Sequence, residues 1–265
     1  LVFPVQNLMI AVAVGTATGI NAILSRRLGE KNYAAAEKVA ANGVLITLVT
    51  WLAFAAFGAV GSAWFLDMFT KVPEIAAGGT VYMRIVTVLG LGSFMQITFE
   101  RILQSTGKTV YQMISQMTGA VVNIILDPIM IFGLLGFPAM GVAGAALATV
   151  IGQWGGMVTG IVINHIKNHE VRLRPAGFCP DWRAIRSIYQ VGFPSIIMQS
   201  LSSVMMFGMN KILIAFTETA VNVFGVYFKL QSFVFMPVFG VTNALVPIVG
   251  FNYGARQKKR ITDTV

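Results

Sequence analysis

Charge is what this chain lacks most. Only 11% of its 265 residues are Asp, Glu, Lys or Arg, whereas an average soluble domain carries about 25%. With 56% hydrophobic residues and a mean hydropathy of +0.75, it does not read as a soluble core. Cysteine is nearly missing: Cys179 stands alone, so no disulfide framework exists. Histidine is limited to His165 and His169, which read as interfacial polar residues with no third ligand near them to complete a metal site. No loop gathers a Ser/His/Asp or metal-ligand cluster, so no enzyme and no cofactor is expected. Period-two alternation is absent too, which argues against a β-barrel. The first apolar stretch lacks a basic region before it and is too long for a signal-peptide core, so it reads as a membrane helix.

What the chain has is long apolar runs. Seven reach or exceed the ~20 residues that cross a bilayer as a helix; they run 2–24, 44–66, 81–103, 110–134, 142–163, 191–215 and 221–251. The expected fold is therefore an all-α polytopic membrane protein. The net charge of +9 sits in alternate loops. Arg26, Arg27, Lys31 and Lys38 follow the first run, Lys108 the third, Lys167, Arg172, Arg174, Arg183 and Arg186 the fifth, and Arg256, Lys258, Lys259 and Arg260 the seventh. The intervening loops hold little more than Lys71 and Glu218. The positive-inside rule then puts the N-terminus outside and the C-terminus in the cytoplasm, with lipid as the surrounding partner. No loop is a folded basic domain, so nucleic acid is not an expected partner.

The most informative residue is Asp127. It lies within the apolar run 113–137, roughly 20 Å from one end and roughly 15 Å from the other at ~1.5 Å per residue. A carboxylate at that depth costs roughly 2.5–3.5 kcal/mol on the most lenient insertion scales. Asn123 stands four residues earlier, on the same helical face. A carboxyl in apolar surroundings takes a proton, or binds Na⁺ if oxygens from Asn123 and a Thr such as Thr149 converge on it. Pro128 removes one N–H, so the carbonyl of Ile124 loses its helical partner and a kink is expected there. The bland alternative is that Asp-Pro marks a helix end at the outer interface; the apolar run 129–137 argues against it.

Two segments echo each other. Gly15-Thr16-Ala17 with Ser25-Arg26-Arg27-Leu28-Gly29 matches Gly240-Val241-Thr242 with Gly250-Phe251-Asn252-Tyr253-Gly254, at an offset of 225 residues. Repeats of this size are common in transporters built from two homologous bundles. At that offset the counterpart of Pro194, which is expected to open and kink the sixth helix, falls before Leu1. The counterparts of the second to fifth runs fall beyond Val265. The chain thus reads as the middle of a two-lobe, twelve-helix parent of roughly 400–450 residues. Residues 1–165 form its N-terminal lobe without the first helix, 166–188 a cytoplasmic loop between lobes, and 189–265 the start of the C-terminal lobe.

These residues resemble the multidrug and toxic compound extrusion (MATE) transporters of the polysaccharide-flippase superfamily. The resemblance rests on Leu24-Ser25-Arg26-Arg27-Leu28-Gly29 with Tyr33 and Ala34, on Tyr82-Met83-Arg84-Ile85, and on Gln104-Ser105-Thr106-Gly107-Lys108. It continues in Asn123-x-x-x-Asp127-Pro128 followed by Gly141-Val142-Ala143-Gly144-Ala145-Ala146-Leu147-Ala148-Thr149, and in Phe251-Asn252-Tyr253-Gly254-Ala255. It implies that the visible helices are the family's second through eighth. It also implies exchange of an external cation (H⁺ or Na⁺) for an outgoing amphipathic, usually cationic, small molecule, in the cytoplasmic membrane of a bacterium and by a monomer. In such proteins an aspartate on the first helix works with residues matching Asn123, Asp127 and Thr149. In the second lobe Asn210, followed by Lys211, falls roughly where the repeat would place that acid.

Other polar residues inside the runs have two readings. Gln96 and Glu100, four apart, line a substrate cavity or lie at an interface beside Arg101. Arg84 reads as a snorkelling side chain. Lys211 and Lys229 are deeper, and pair with a carboxylate or carbonyls or contact substrate. Met198, Met205, Met206, Met209 and Met236 suit a cavity for varied ligands, though methionine is also ordinary filler between helices. Gly152, Gly155, Gly156 and Gly160 have the small-xxx-small spacing of close helix packing. The expected function is cation-coupled export by alternating access. The alternatives are a flippase for lipid-linked sugars, favoured by Lys211 and Lys229, and a seven-helix receptor, which the displaced repeat disfavours.

Overall fold

The computed structural model describes residues 3–67, 73–136, 138–173, 180–214 and 217–264. Of these, 3–4, 73–75, 135, 202–203, 206–207, 210–211, 214 and 218–222 are described by backbone alone. All regular structure among them is helical: α1 (Phe3–Gly29), α2 (Tyr33–Asp67), α3 (Pro73–Val88), α4 (Leu91–Ser105), α5 (Thr109–Phe132), α6 (Val142–Lys167), α7 (Trp182–Ile214), α8 (Glu218–Gly254) and α9 (Lys258–Thr264). Only a single 3₁₀ turn, Leu134–Gly136, departs from α geometry. The all-α expectation holds.

Among the described residues, five helices are long and apolar enough to cross a bilayer, and a bent pair makes a sixth span. That pair corrects the continuous run expected at 81–103. The chain breaks at Leu89–Gly90, where α3 and α4 meet at 40°. Breaking a helix at that depth frees carbonyls that need donors. Two indoles supply them: Trp51 donates Nε1–H to the Val88 carbonyl at 3.2 Å, and Trp154 donates to that of Leu89 at 3.0 Å. The expected sixth run falls in α7. Pro194 does not open this helix, which already begins at Trp182. The connection between the lobes, expected at 166–188, is held to α2 by two bonds. Arg172 N–H donates to Glu37 at 3.3 Å and Asp181 N–H to Asn42 at 2.9 Å.

α5 and α6 pack antiparallel through glycine. A Cβ on Gly144 would overlap the Met130 carbonyl, and one on Gly152 would meet the Gly119 carbonyl at 2.7 Å and the Asn123 Cβ at 2.9 Å. Gly155 meets only Val122, at 3.7 Å, and takes no part in this close approach. α1 runs centrally, against α2 and α4 on one side and α7 and α8 on the other. Gly15 lies against Ile196, and Gly19 against the Ile188 carbonyl and Gly192.

The repeat is reproduced bond for bond. At the end of α1, Glu30 donates to Arg26, Lys31 to Leu28 and Asn32 to Arg27, each at 3.0 Å. At the offset of 225, Ala255 donates to Phe251 (2.9 Å), Arg256 to Tyr253 (3.2 Å) and Gln257 to Asn252 (2.9 Å). Both ends form the same left-handed helix stop. Lys31 and Arg256, themselves repeat partners, are the two non-glycine residues with positive φ among the described residues, each at 56°. The two ends also cross each other reciprocally. A Cβ on Gly29 would overlap the Phe251 carbonyl oxygen, and one on Gly254 would overlap that of Arg26. The Arg26 guanidinium covers the Tyr253 ring at 5.2 Å, a cation–π contact. Gln104 joins the same end: its Oε1 accepts from Asn21 (3.0 Å) and Arg101 (2.7 Å), and its Nε2 donates to the Asn243 carbonyl (3.2 Å). The two halves are therefore pinned together at the end rich in Arg and Lys.

Candidate cation site

α5 presents Ser115, Gly119, Asn123 and Asp127 at four-residue intervals on one face. That face meets α4 and α6, so the spacing read from sequence puts Asn123 and Asp127 inside the helix bundle. Both side chains are half-buried, yet Asn123 Nδ2 and Asp127 Oδ1 are each wholly shielded from solvent and have no hydrogen-bond partner. An unmet buried polar atom costs about 1–3 kcal/mol, and more when charged. Such a pair is stable only where something else satisfies it. Turning the Asn123 amide about its last torsion presents its oxygen in place of its nitrogen, so the pair can offer oxygens to a small cation.

Pro128 lies within α5, but the helix continues through it to Phe132 and stops at Gly133, φ 71°. Thr149 sits on α6 between Gly144, which packs on Met130, and Gly152, which packs on Asn123. That is the level of Asp127. Its hydroxyl donates to the Ala145 carbonyl at 2.9 Å, leaving oxygen lone pairs free.

Three further residues join the site. Tyr82 of α3 lies within electrostatic reach of Asp127 and close to the side chain of Gln6 on α1. Gln6 in turn lines a cavity of about 20 Å³ with Ser93 and Gln153. Gln153 Oε1 is buried without a partner, like the two atoms of the Asn123–Asp127 pair. Gln6 and Gln153 carried the signal that singled out Asp127, a polar side chain inside an apolar run. Tyr82 was visible only as part of a motif.

The other expected site residues lie elsewhere. Gln96 donates to Glu100 at 2.9 Å, but the pair is packed inside the bundle of α4, α5 and α6. Lys229 is exposed on α8. The side chains of Met206, Asn210 and Lys211 fall outside the described residues. Arg84 donates to the Ser62 hydroxyl of α2 at 3.1 Å. A cavity of about 850 Å³ between α2 and the start of α7 is lined mainly by apolar residues such as Val49, Tyr189 and Phe193.

Comparison with known proteins identifies the family. The MatE family model matches residues 1–129 and 194–265, a range that includes Asn123 and Asp127. The chain belongs to the MatE family. Among MatE relatives, "Probable multidrug resistance protein NorM" of Thermotoga maritima is 31% identical over 98% of this chain and 55% of its own length. The multidrug export protein MepA of Staphylococcus haemolyticus is 26% identical over all of this chain and 58% of its own. The chain thus spans about half the length of these curated relatives, and the count of twelve helices follows from their length. Among solved structures, the outward-facing conformation of a multidrug resistance MATE transporter of the MOP superfamily superposes with a TM-score of 0.88. It is 26% identical, over 99% of this chain and 58% of that one. The apolar helices and these relatives mark the MatE chain as a multi-pass membrane protein.

Proposed function

We propose that the parent protein is an antiporter of a bacterial cytoplasmic membrane, exporting amphipathic, often cationic compounds against an inward flow of H⁺ or Na⁺. The observation that carries this reading is the unmet Asp127 Oδ1 beside the unmet Asn123 amide, deep in an apolar helix. The names of the NorM and MepA relatives support the drug-export part.

Asp127 loads the cation, with Asn123 and Thr149 as further oxygen donors and Tyr82 close to the carboxylate. Neutralising that charge changes which lobe arrangement is favoured and releases the exported compound. Coupling requires the cation and the compound to prefer different arrangements, because a ligand that binds both equally shifts nothing. The reciprocal crossing of α1 and α8 at the basic end is the contact that one arrangement makes and the other must open. The test is cation-driven counterflow in vesicles carrying the complete parent protein: Asp127→Asn abolishes the cation dependence, whereas efflux of unchanged rate and ion dependence sinks the proposal.

A further inference from the structure

Glu100 is a buried acid that the cation site does not use. It is 7% exposed, and it occupies the third position of an α4 ridge, Gly92-Gln96-Glu100-Gln104, spaced by four. That ridge faces Ser115-Gly119-Asn123-Asp127 of α5 and Gly152-Gly156-Gly160 of α6. The Gln96 amide fills a slot walled by Gly119 and Gly156, and Gly160 packs on Ser115 at 3.2 Å. A line of polar groups therefore runs from Asp127 through Asn123 and Gln96 to Glu100 and Ser115.

Among the described residues Glu100 forms no salt bridge, although the Arg101 charge is felt at its carboxyl. The ion pairs formed by described residues are Arg26–Glu30 and Arg27–Glu30. Arg101, next in the chain and the nearest charge, turns its guanidinium to Gln104. The residues facing Glu100 from α5 and α6 are neutral. Lys108, at the start of α5, reaches Asn168, and His165, His169 and Arg172 line a separate pocket of about 550 Å³ with Asn164. An unpaired buried carboxylate is costly.

The hydrogen bonds around it are also one-sided. Gln96 Nε2 donates to Glu100 Oε1 at 2.9 Å. Ser115 on α5 gives its only hydroxyl hydrogen to the Gly156 carbonyl at 2.8 Å, so it has none to donate to the carboxyl.

We propose that Glu100 is a second proton-binding site of the N-terminal half, at the far end of the polar line that begins at Asp127. The proton adds to the carboxyl oxygen that Gln96 does not bind, forming one O–H bond, while Gln96 continues to donate to Oε1. No other group gains or loses a proton. Its part in transport rests on the cation-coupled reading; the bound proton does not.

The test is infrared difference spectroscopy of the complete parent protein in lipid, titrated with pH in H₂O and D₂O. A protonated-carboxyl band that persists in wild type and Asp127→Asn at neutral pH, disappears in Glu100→Gln and moves in Glu100→Asp supports the assignment. A band unchanged in Glu100→Gln, or lost in Asp127→Asn alone, overturns it. If Glu100→Gln does not fold, an unmoved band in Glu100→Asp overturns it equally. The counterflow experiment on Asp127 is separate, so either reading can fail while the other stands.

Discussion

At the scale of single residues, depth made Asp127 and Asn123 legible, because a carboxyl far inside an apolar run has few structural excuses. Which other polar residues meet them was not legible. Tyr82 and Gln6 reach the site only because α3 and α1 pack there, and no local pattern encodes that contact. Asn123→Ala removes an oxygen donor and should raise the cation concentration for half-maximal efflux about tenfold, equivalent to about 1.4 kcal/mol. Tyr82→Phe should shift it in the same direction by less. Glu30, outside the spans, behaves differently. Its burial pushes its carboxyl up, but hydrogen bonds and charges of Arg27 and Arg26 outweigh that and hold it below the usual carboxylate range. A depressed folded value contributes stability above the unfolded value of ~4.3, and that contribution is lost as pH falls through the lower folded one. The site is partly exposed, so the effect is small and screened by salt. Glu30→Gln should flatten the acid side of a plot of melting temperature against pH.

At the scale of elements, hydropathy located the apolar runs but could not show the break at Leu89–Gly90. A run with Leu89-Gly90-Leu91-Gly92 still averages as one apolar span. What ends α3 is donation from Trp51 and Trp154 on two other helices, which only tertiary structure supplies. The glycines divide in a similar way. Spacing grouped Gly155 with Gly152, Gly156 and Gly160, whereas packing separates it. Gly155→Ala should be neutral or stabilise by up to about 1 kcal/mol, from helix propensity alone. Gly254→Val places methyl groups against the Arg26 carbonyl and should cost about 1–3 kcal/mol as overpacking. A disulfide between Arg26→Cys and Tyr253→Cys should form readily in the parent protein and slow sharply when Gly254→Val is added. Equal cross-linking in both backgrounds would show that the crossing tolerates the side chain.

At the scale of the whole molecule, a short sequence echo proved to be a structural repeat, with three matching hydrogen bonds and one left-handed residue, Lys31 or Arg256, at each helix end. It was legible because the glycines that let two backbones meet are fixed at both copies. The second-lobe residues Asn210 and Lys211 were placed by the same offset but gain no geometric support, since their side chains lie outside the described residues. Residues 1–265 span 55–58% of the relatives' length and hold the candidate site in one half only. By themselves they should give no detectable flux in vesicles, and measurable flux would overturn the two-lobe account. The central claim is the role of Asp127, and one measurement bears on it most directly: cation-driven efflux by the complete parent protein carrying Asp127→Asn. Loss of cation dependence in protein that still folds and inserts is the predicted result. Wild-type rate and wild-type ion dependence would contradict it.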